Sequence, residues 1–530
     1  LYDYVIVGAG SAGCVLANRL SEDPGVEVCL LEAGPADTNE NIHTPYAFGK
    51  LFRTALDWDY DSHDERHCGN RRIYLPRGRV LGGTSSMNAM VYIRGHRSDY
   101  DGWGQPGWSY PELLPYFKRS EDNERGAGAY HGTGGPLAVS ESRSRNPMTA
   151  AFVEAATETG YAANTDFNGA EQDGFGHYQV TQREGRRCST AAGFLRPVSD
   201  RPNLTVLTDL QVHRVVIENG RACGVEGERF GRQVSFRAER EVILSAGAYN
   251  SPQLLMLSGV GPADLLAGLG IGVLVDQPEV GANLQDHPQV NLNFAHTEPV
   301  SLLVTAEPRH VAEFERSGTG PLTSNGPEAG GFIRTRDGLA APDVQFHAAP
   351  MMFLAGGLGA PTGHALSYGA CVLAPRSRGS VRIVSPDPTA KPRIIHDYYA
   401  EPEDLDVAVA GLRAGLAIAR GSALRRYTTR LLDPPESDYD DDLRDHVRRH
   451  TQTLFHPAGT CAMGTVLDAG LRVRGVDGLR VVDASVMPRL VRGNTNAPTI
   501  AIAEKAADLI RGREPLPEEE PLHPKAASSA

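Results

Sequence analysis

The chain is 530 residues long, 41% apolar, and carries 52 Lys and Arg against 65 Asp and Glu, a formal net charge of −13. That is material for two to four domains at about 150 residues each, with an acidic surface that repels nucleic acid and anionic lipid and no apolar run near the ~20 residues of a membrane span. Seven scattered cysteines form neither a disulfide framework nor a paired CxxC zinc site, so a reducing, cytoplasmic setting is the expectation.

The first elements are the clearest. The β-branched run YVIV at 4–7 is followed by GAGSAG, a helix-like AGCVLANRL, a turn at Asp23, Pro24 and Gly25, and VEVCLLE at 26–32. Strand, glycine turn, helix and strand in about thirty residues make a βαβ unit. Gly8, Gly10 and Gly13 hold the places of G-x-G-x-x-G. The first permits the tight turn, the second lets a pyrophosphate approach the backbone, and the third lets helix pack on strand. Free N–H groups at the helix start favour phosphate, and Glu32, ending the second strand, is placed to accept from ribose hydroxyls. The pattern commits to a dinucleotide without choosing one, because FAD and NAD share the adenosine diphosphate half.

From about 35 to 125 the chain is rich in Gly, Pro, Arg and Tyr, as for loops wrapped over a ligand. Within it HDERHC brings His63, His67 and Cys68 together, but no second cluster completes a metal site; a polar surface loop and no metal are expected. Residues 204–228 read as strands joined by the NG turn at 219–220. EVILSAGAYNSPQLLMLSGVGP, from 241, reads as a buried strand, a small-residue turn and a helix. Between 291 and 400 turn signals become frequent and SRGSVRIVSPDPTAKPRIIHDY alternates apolar with polar, which suits an antiparallel sheet. Helical periodicity returns at 404–421 and in PTIAIAEKAADLIRG, opened by Pro498 near its first turn. The Pro- and Glu-rich residues 515–530 read as a flexible tail.

Three further segments follow the dinucleotide loop in order. They are GRVLGGTSSMNAMVYIRG (78–95), GAYNSPQLLMLSGVGP (247–262) with GANLQDHP (281–288), and FHPAGTCAMG (455–464) with GNTNAPTIAIAEKAADLI (493–510). Together they resemble the glucose–methanol–choline (GMC) family of FAD-dependent oxidoreductases, in particular its choline-dehydrogenase-like alcohol-oxidising branch. The resemblance spans nearly the whole chain except the tail and parts of 291–370. It implies an α/β fold in which a Rossmann-like FAD-binding domain is interleaved with an α+β substrate domain containing an antiparallel sheet. Residues 1–155, 203–290 and 446–514 are assigned to the former, 156–202 and 291–445 to the latter.

The cofactor positions rest on the same resemblance. They are Gly8, Gly10, Ser11, Ala12 and Gly13 in the loop; Glu32 and Ala33 after the second strand; Val80, Gly83, Thr84, Asn88, Met90 and Val91 around GGTSS; Val212, whose backbone would meet the adenine; and Asp483, Ala484, Thr495 and Asn496. Small residues from 82 to 86 permit close backbone approach. The helix after Pro498 would aim its positive end at the flavin's pyrimidine edge. Some choline oxidases link FAD covalently through a histidine where this chain has Met87. A thioether offers no comparable linkage, so non-covalent FAD is expected.

His456 matches the family's catalytic histidine and Asn494 its partner position, His or Asn in different members. A neutral imidazole, ordinarily titrating near ~6.5, can take an alcohol's hydroxyl proton while hydride leaves carbon for flavin N5. A carboxamide N–H can steady the developing alkoxide. His287, in LQDHP, resembles a position that looks structural, and Ala462 stands where many relatives carry a basic residue. The expected reaction is FAD-dependent oxidation of a primary alcohol, aromatic or aliphatic, to an aldehyde. Electrons would pass to O2, giving H2O2, or to another acceptor. The alternatives are a choline dehydrogenase with a non-oxygen acceptor, a hydroxynitrile-lyase-like enzyme and a fatty-acid photodecarboxylase; an NAD dehydrogenase would leave the GGTSSMN and C-terminal blocks without a purpose. The substrate pocket is expected within 291–370, and a homo-oligomer is open.

Overall fold

The computed structural model describes residues 1–296 and 298–521. Its first sheet starts from the predicted βαβ unit. β1 (Tyr2–Val7) lies parallel to β2 (Val28–Leu31), with Val5 opposite Cys29. Strands this uniformly apolar need cover on both faces, and α1 (Ser11–Leu20) contributes Val15, Leu16 and Leu20 to the same core. β3 (Leu204–Leu207) adds to the far side of β2, again parallel.

β4 (Leu210–Glu218) and β5 (Arg221–Arg229) form the hairpin that the NG pair predicts. Asn219 and Gly220 have φ of 51° and 79°, left-handed values that these two residue types adopt at little cost. β6 (Arg232–Leu244) joins two patterns: its first part is antiparallel to β5, and 238–244 run parallel to β1. Leu479–Val481 pairs parallel with the end of β6, so the sheet, ordered β3-β2-β1-β6-β5-β4, draws on widely separated stretches. Gly8, Glu32, Ser245 and Asp483 all follow carboxyl ends of its parallel strands, the edge where open α/β sheets bind ligands.

The second sheet is antiparallel, as expected for residues 291–400, though the alternating stretch is not part of it. It comprises β7 (Pro288–His296), β8 (Ala329–Ile333), β9 (Val344–Ala349), β10 (Ala365–Val372) and β11 (Thr428–Leu432), in the order β11-β7-β10-β9-β8, with Gly174–His177 beyond β8. After the predicted α2 (Gly247–Leu257), the helix expected at 404–421 forms as α3 (Pro402–Ile418). It lies tight against this sheet, where a Cβ on Gly411 would come 2.9 Å from Ala370 Cβ. The alternation near 380–395 makes a separate hairpin, Ser380–Arg382 with Arg393–Ile395. The last helix is α4 (Asn496–Ile510).

Two large cores result. One gathers Val5, Val15, Leu30, Ile243, Val481 and Ile500, the other Phe152, Leu292, Phe346, Tyr368 and Leu412. Their membership departs from the boundaries read in the sequence. The helix Pro147–Glu158, assigned mostly to the first unit, sends Met148 and Phe152 into the second core, Phe152 lying 4.8 Å from the Tyr368 ring. Ala191, Phe194 and Leu195, assigned to the second unit, belong to the core around α1. Cys68, expected in a polar surface loop, is fully buried in the second core, and burial pushes its thiol up to about 12. Part of the expected tail is tied down: the Leu516 N–H donates to Tyr116 Oη at 3.1 Å and Lys118 pairs with Glu519. Residues 522–530 of that segment lie outside the described residues. No helix among the described residues is long and apolar enough to cross a membrane.

Candidate active site

Glycine turns meet at the carboxyl edge of the first sheet. Gly8 leaves β1 with φ 98°, and a Cβ there would lie 2.5 Å from the Ser245 carbonyl oxygen. One on Gly13 would lie 1.9 Å from the Gly8 carbonyl oxygen, so α1 sits as close to the loop as a bare backbone allows. Gly83 would drive a Cβ to within 2.6 Å of Gly10 Cα; the GGTSS turn rests backbone to backbone on the dinucleotide loop. The Glu32 carboxylate accepts from the Ala9 N–H at 2.9 Å and the Gly34 N–H at 2.8 Å, and burial pushes its pKa up to about 7. The Ser11 hydroxyl donates to Asn496 Oδ1 at 2.7 Å, which ties the start of α1 to the start of α4. Both helix N-termini, each partially positive, therefore border one cleft.

The cleft holds about 2170 Å³ of empty space, partly open to solvent, and it takes in both the glycine cradle and His456. Of the positions singled out from the sequence, all border it except Gly13 and Val80. Gly13 lies one layer beneath, and Val80 packs its side chain with Ile42, Leu51 and Met87. Asp483 borders the cleft, but its carboxylate is spoken for. It accepts from the Gly247 N–H (2.9 Å), the Ser251 hydroxyl (2.6 Å), and the Ser485 N–H (2.8 Å) and hydroxyl (2.5 Å). Those donors fill a carboxylate's acceptor sites, so Asp483 clamps the start of α2, and its backbone is what it can offer a ligand.

At the other end, the loop before His456 is bent sharply. Phe455 has φ 69°, a conformation costly for an aromatic residue. Its N–H donates to Thr453 Oγ1 at 2.7 Å and the His456 N–H donates to Asp286 Oδ1 at 2.8 Å, which hold the bend. His456 Nε2 then lies 3.3 Å from Asn494 Nδ2 and His456 Nδ1 lies 2.9 Å from His287 Nδ1. Gln345 Nε2 donates to Asn494 Oδ1 at 3.2 Å, which turns the amide N–H face of Asn494 toward His456 and toward His347 Nε2, 3.5 Å away. Burial, reinforced by His287, His347 and Arg77, holds His456 well below the ordinary 6.5. Burial likewise drives His347 down to about 3 and His287 to about 4. At neutral pH the imidazoles here are bases without charge.

His456 and Asn494 were named from sequence. His347 and Gln345 were missed, and His287 was set aside as structural. The stretch DVQFHAAP carried a signal for two of them: residues two apart on a strand share a face, and Gln345 and His347 occupy one face of β9. Pairing places Asn291, Gly369 and His347 in one row across the sheet. Gly369 is required there, because a Cβ would stand 2.0 Å from Asn291 Oδ1. Asn291, Gln289 and Ser367 also border the cleft. A neutral imidazole and an amide N–H facing one cleft can remove a hydroxyl proton and hold the oxygen left behind.

Residues 2–289 and 375–503 match two family models, each described as GMC oxidoreductase. The chain is 44% identical over 529 residues to an alcohol dehydrogenase (acceptor) of Pseudomonas putida, with 96% of each chain covered. It is 42% identical over 533 residues to an oxygen-dependent choline dehydrogenase of Sinorhizobium fredii, covering 97% of this chain and 96% of that one. The crystal structure of pyridoxine 4-oxidase from Mesorbium loti matches with a TM-score of 0.89 at 34% identity, over 97% of this chain and 100% of that one.

Proposed function

This chain belongs to the GMC oxidoreductase family, FAD-dependent oxidoreductases acting on CH–OH donors, and we propose that it oxidises a primary alcohol with an uncharged, apolar body to the aldehyde, with His456 as base. One observation carries the reading: His456 Nε2 and Asn494 Nδ2 stand 3.3 Å apart in the same cleft as a dinucleotide cradle.

The residues present fit FAD. Gly8 and Gly83 hold backbones so close that a Cβ on either would collide, and Gly10 leaves its side-chain space open to a ligand; Glu32 is available to a ribose, and two helix N-termini suit the pyrophosphate and the flavin. FAD, when bound, supplies the acceptor for the hydride that leaves the alcohol carbon and hands those electrons on to oxygen or another acceptor. The protein's own part is to place and deprotonate the alcohol. His456 Nε2 receives the hydroxyl proton, the Asn494 N–H holds the oxygen as charge develops, and burial keeps bulk water from competing. Met87 borders the cleft where a linking histidine would stand, so FAD is held without a covalent bond. Seven free cysteines suit a reducing compartment such as the cytoplasm.

The substrate end is apolar on one side. Phe48, Phe52, Phe353, Phe455 and Met351 wall it, the Phe52 ring lying 6.0 Å from Phe48 and 6.3 Å from Phe455. The carboxylates bordering the cleft are Glu32, in the glycine cradle, and Asp483, already saturated. The group acting on His456 that is charged at neutral pH is the Arg77 guanidinium; His287 and His347 beside it are neutral. A trimethylammonium group would meet aromatic rings but no opposing carboxylate, and it would be desolvated beside a guanidinium. Choline is therefore the poorer substrate.

Mixing the yellow holoenzyme with benzyl alcohol or 1-octanol without oxygen should bleach its visible band, with choline slower by about 10-fold or more. Failure of every alcohol to bleach it, together with cyanide release from mandelonitrile, would replace this function with a lyase. Faster bleaching by choline would overturn the substrate class.

A further inference from the structure

His287 stands behind the base, fully buried just ahead of β7. Its ring is perpendicular to that of His456, with centroids 5.1 Å apart. His287 Nε2 lies 3.1 Å from the Leu373 carbonyl oxygen. A carbonyl can only accept, so this nitrogen bears the hydrogen. Burial holds the His287 ring uncharged at neutral pH, and a neutral imidazole has one N–H. Its Nδ1 therefore presents a lone pair. The partner at 2.9 Å, His456 Nδ1, must be the donor. With its one hydrogen fixed there, neutral His456 has a bare Nε2, and Nε2 is the atom facing Asn494 and the cleft.

We propose that His287 is a positioning residue for the alcohol oxidation assigned above, on which this inference rests. The Leu373 carbonyl fixes the tautomer of His287, and His287 in turn fixes that of His456, leaving the reactive nitrogen unprotonated toward substrate. A carboxylate in this place would orient the base equally well but would also raise its basicity by adding a negative charge. A neutral imidazole orients His456 without that change. When His456 takes the hydroxyl proton at Nε2, its Nδ1–H keeps the bond to His287, so neither ring has to turn. The proton rests on His456, and no proton reaches His287.

Two substitutions separate orientation from packing. His287→Asn keeps an acceptor, Oδ1, at the place of Nδ1 but falls short of Leu373. His287→Gln keeps an N–H that reaches Leu373 but has no acceptor at the place of Nδ1. The limiting rate of anaerobic bleaching by benzyl alcohol should fall about 10–100-fold in the Gln variant and stay within about 5-fold of the parent in the Asn variant. The alcohol Kd from the same titrations should move less than about 3-fold in both. His287→Met, similar in bulk and lacking that acceptor, should rank with Gln and serves if the Gln variant does not fold. A Gln variant as fast as the Asn variant, or an effect confined to Kd, would overturn the proposal. If the parent enzyme bleaches with no alcohol, the oxidation reading itself falls and this inference falls with it.

Discussion

His456 is 8% exposed, held below the ordinary histidine range by burial, and fixed by a bent backbone at Phe455. Removing the ring tests its role directly. His456→Ala should slow bleaching by a primary alcohol by roughly 10²–10⁴, the usual worth of a general base, while FAD stays bound; a rate near that of the parent would dismiss the assignment. The same burial sets the pH profile. A base works only while unprotonated, so the parent's bleaching rate should hold its plateau down through 6.5 and lose it only at lower pH. An acid limb above that value would show that another group controls the rate. Sequence motifs identify His456 and Asn494 as types in a pattern. The partners that orient them, His287 and Gln345, lie 169 and 149 residues away in the chain, and no local pattern links a residue to neighbours so remote.

Among the elements, those with strong local signals formed as expected: β1, α1 and β2 from apolar period and glycine punctuation, the β4–β5 hairpin from Asn-Gly, α3 and α4 from helical periodicity. The helix Pro147–Glu158 was harder to place, because an apolar stripe shows that a face is buried and not against which partner. The contact between the two glycine turns is equally silent in the sequence, yet it is tight enough to predict an effect. Gly83→Ala meets Gly10 Cα at 2.6 Å and requires alanine at φ 53°. Overpacking and backbone strain together cost about 2–4 kcal/mol, and the turns must part where the dinucleotide binds. The purified variant should carry much less FAD, read as visible over ultraviolet absorbance. Gly49→Ala, whose Cβ meets nothing within 4 Å, should keep its full complement. Equal FAD in both variants would show that the turns tolerate separation.

At the scale of the molecule, two cores and two sheets enclose one cleft, and the glycine cradle belongs to the first while β7, β9 and β10 belong to the second. A ligand that spans both is lost when either unfolds, so its binding free energy adds to the stability of the whole; at 100 times Kd that is about 2.7 kcal/mol. Acid precipitation should leave the yellow chromophore in the supernatant, as expected without a covalent link. Apoprotein prepared by gentler stripping should melt at least about 5 °C below the holoenzyme and recover on adding FAD. Colour retained in the pellet would contradict the Met87 argument, and identical melting would mean that the cofactor does not bridge the two units.

The sequence alone determined the dinucleotide loop and its acid and the antiparallel character of the later sheet; that His456 faces Asn494 was implied by the family resemblance and not by their spacing. The loop, its acid and the sheet are written in neighbouring residues, where periodicity, turn chemistry and motif spacing act over a few positions. The tertiary structure decided which protons and lone pairs face the cleft. That depends on hydrogen bonds from His287 to the Leu373 carbonyl, from His456 to His287 and from Gln345 to Asn494. Such bonds form only once separate strands and loops have packed, because their directional requirement of about 3 Å is met by the folded chain and by no property of the residues taken in order.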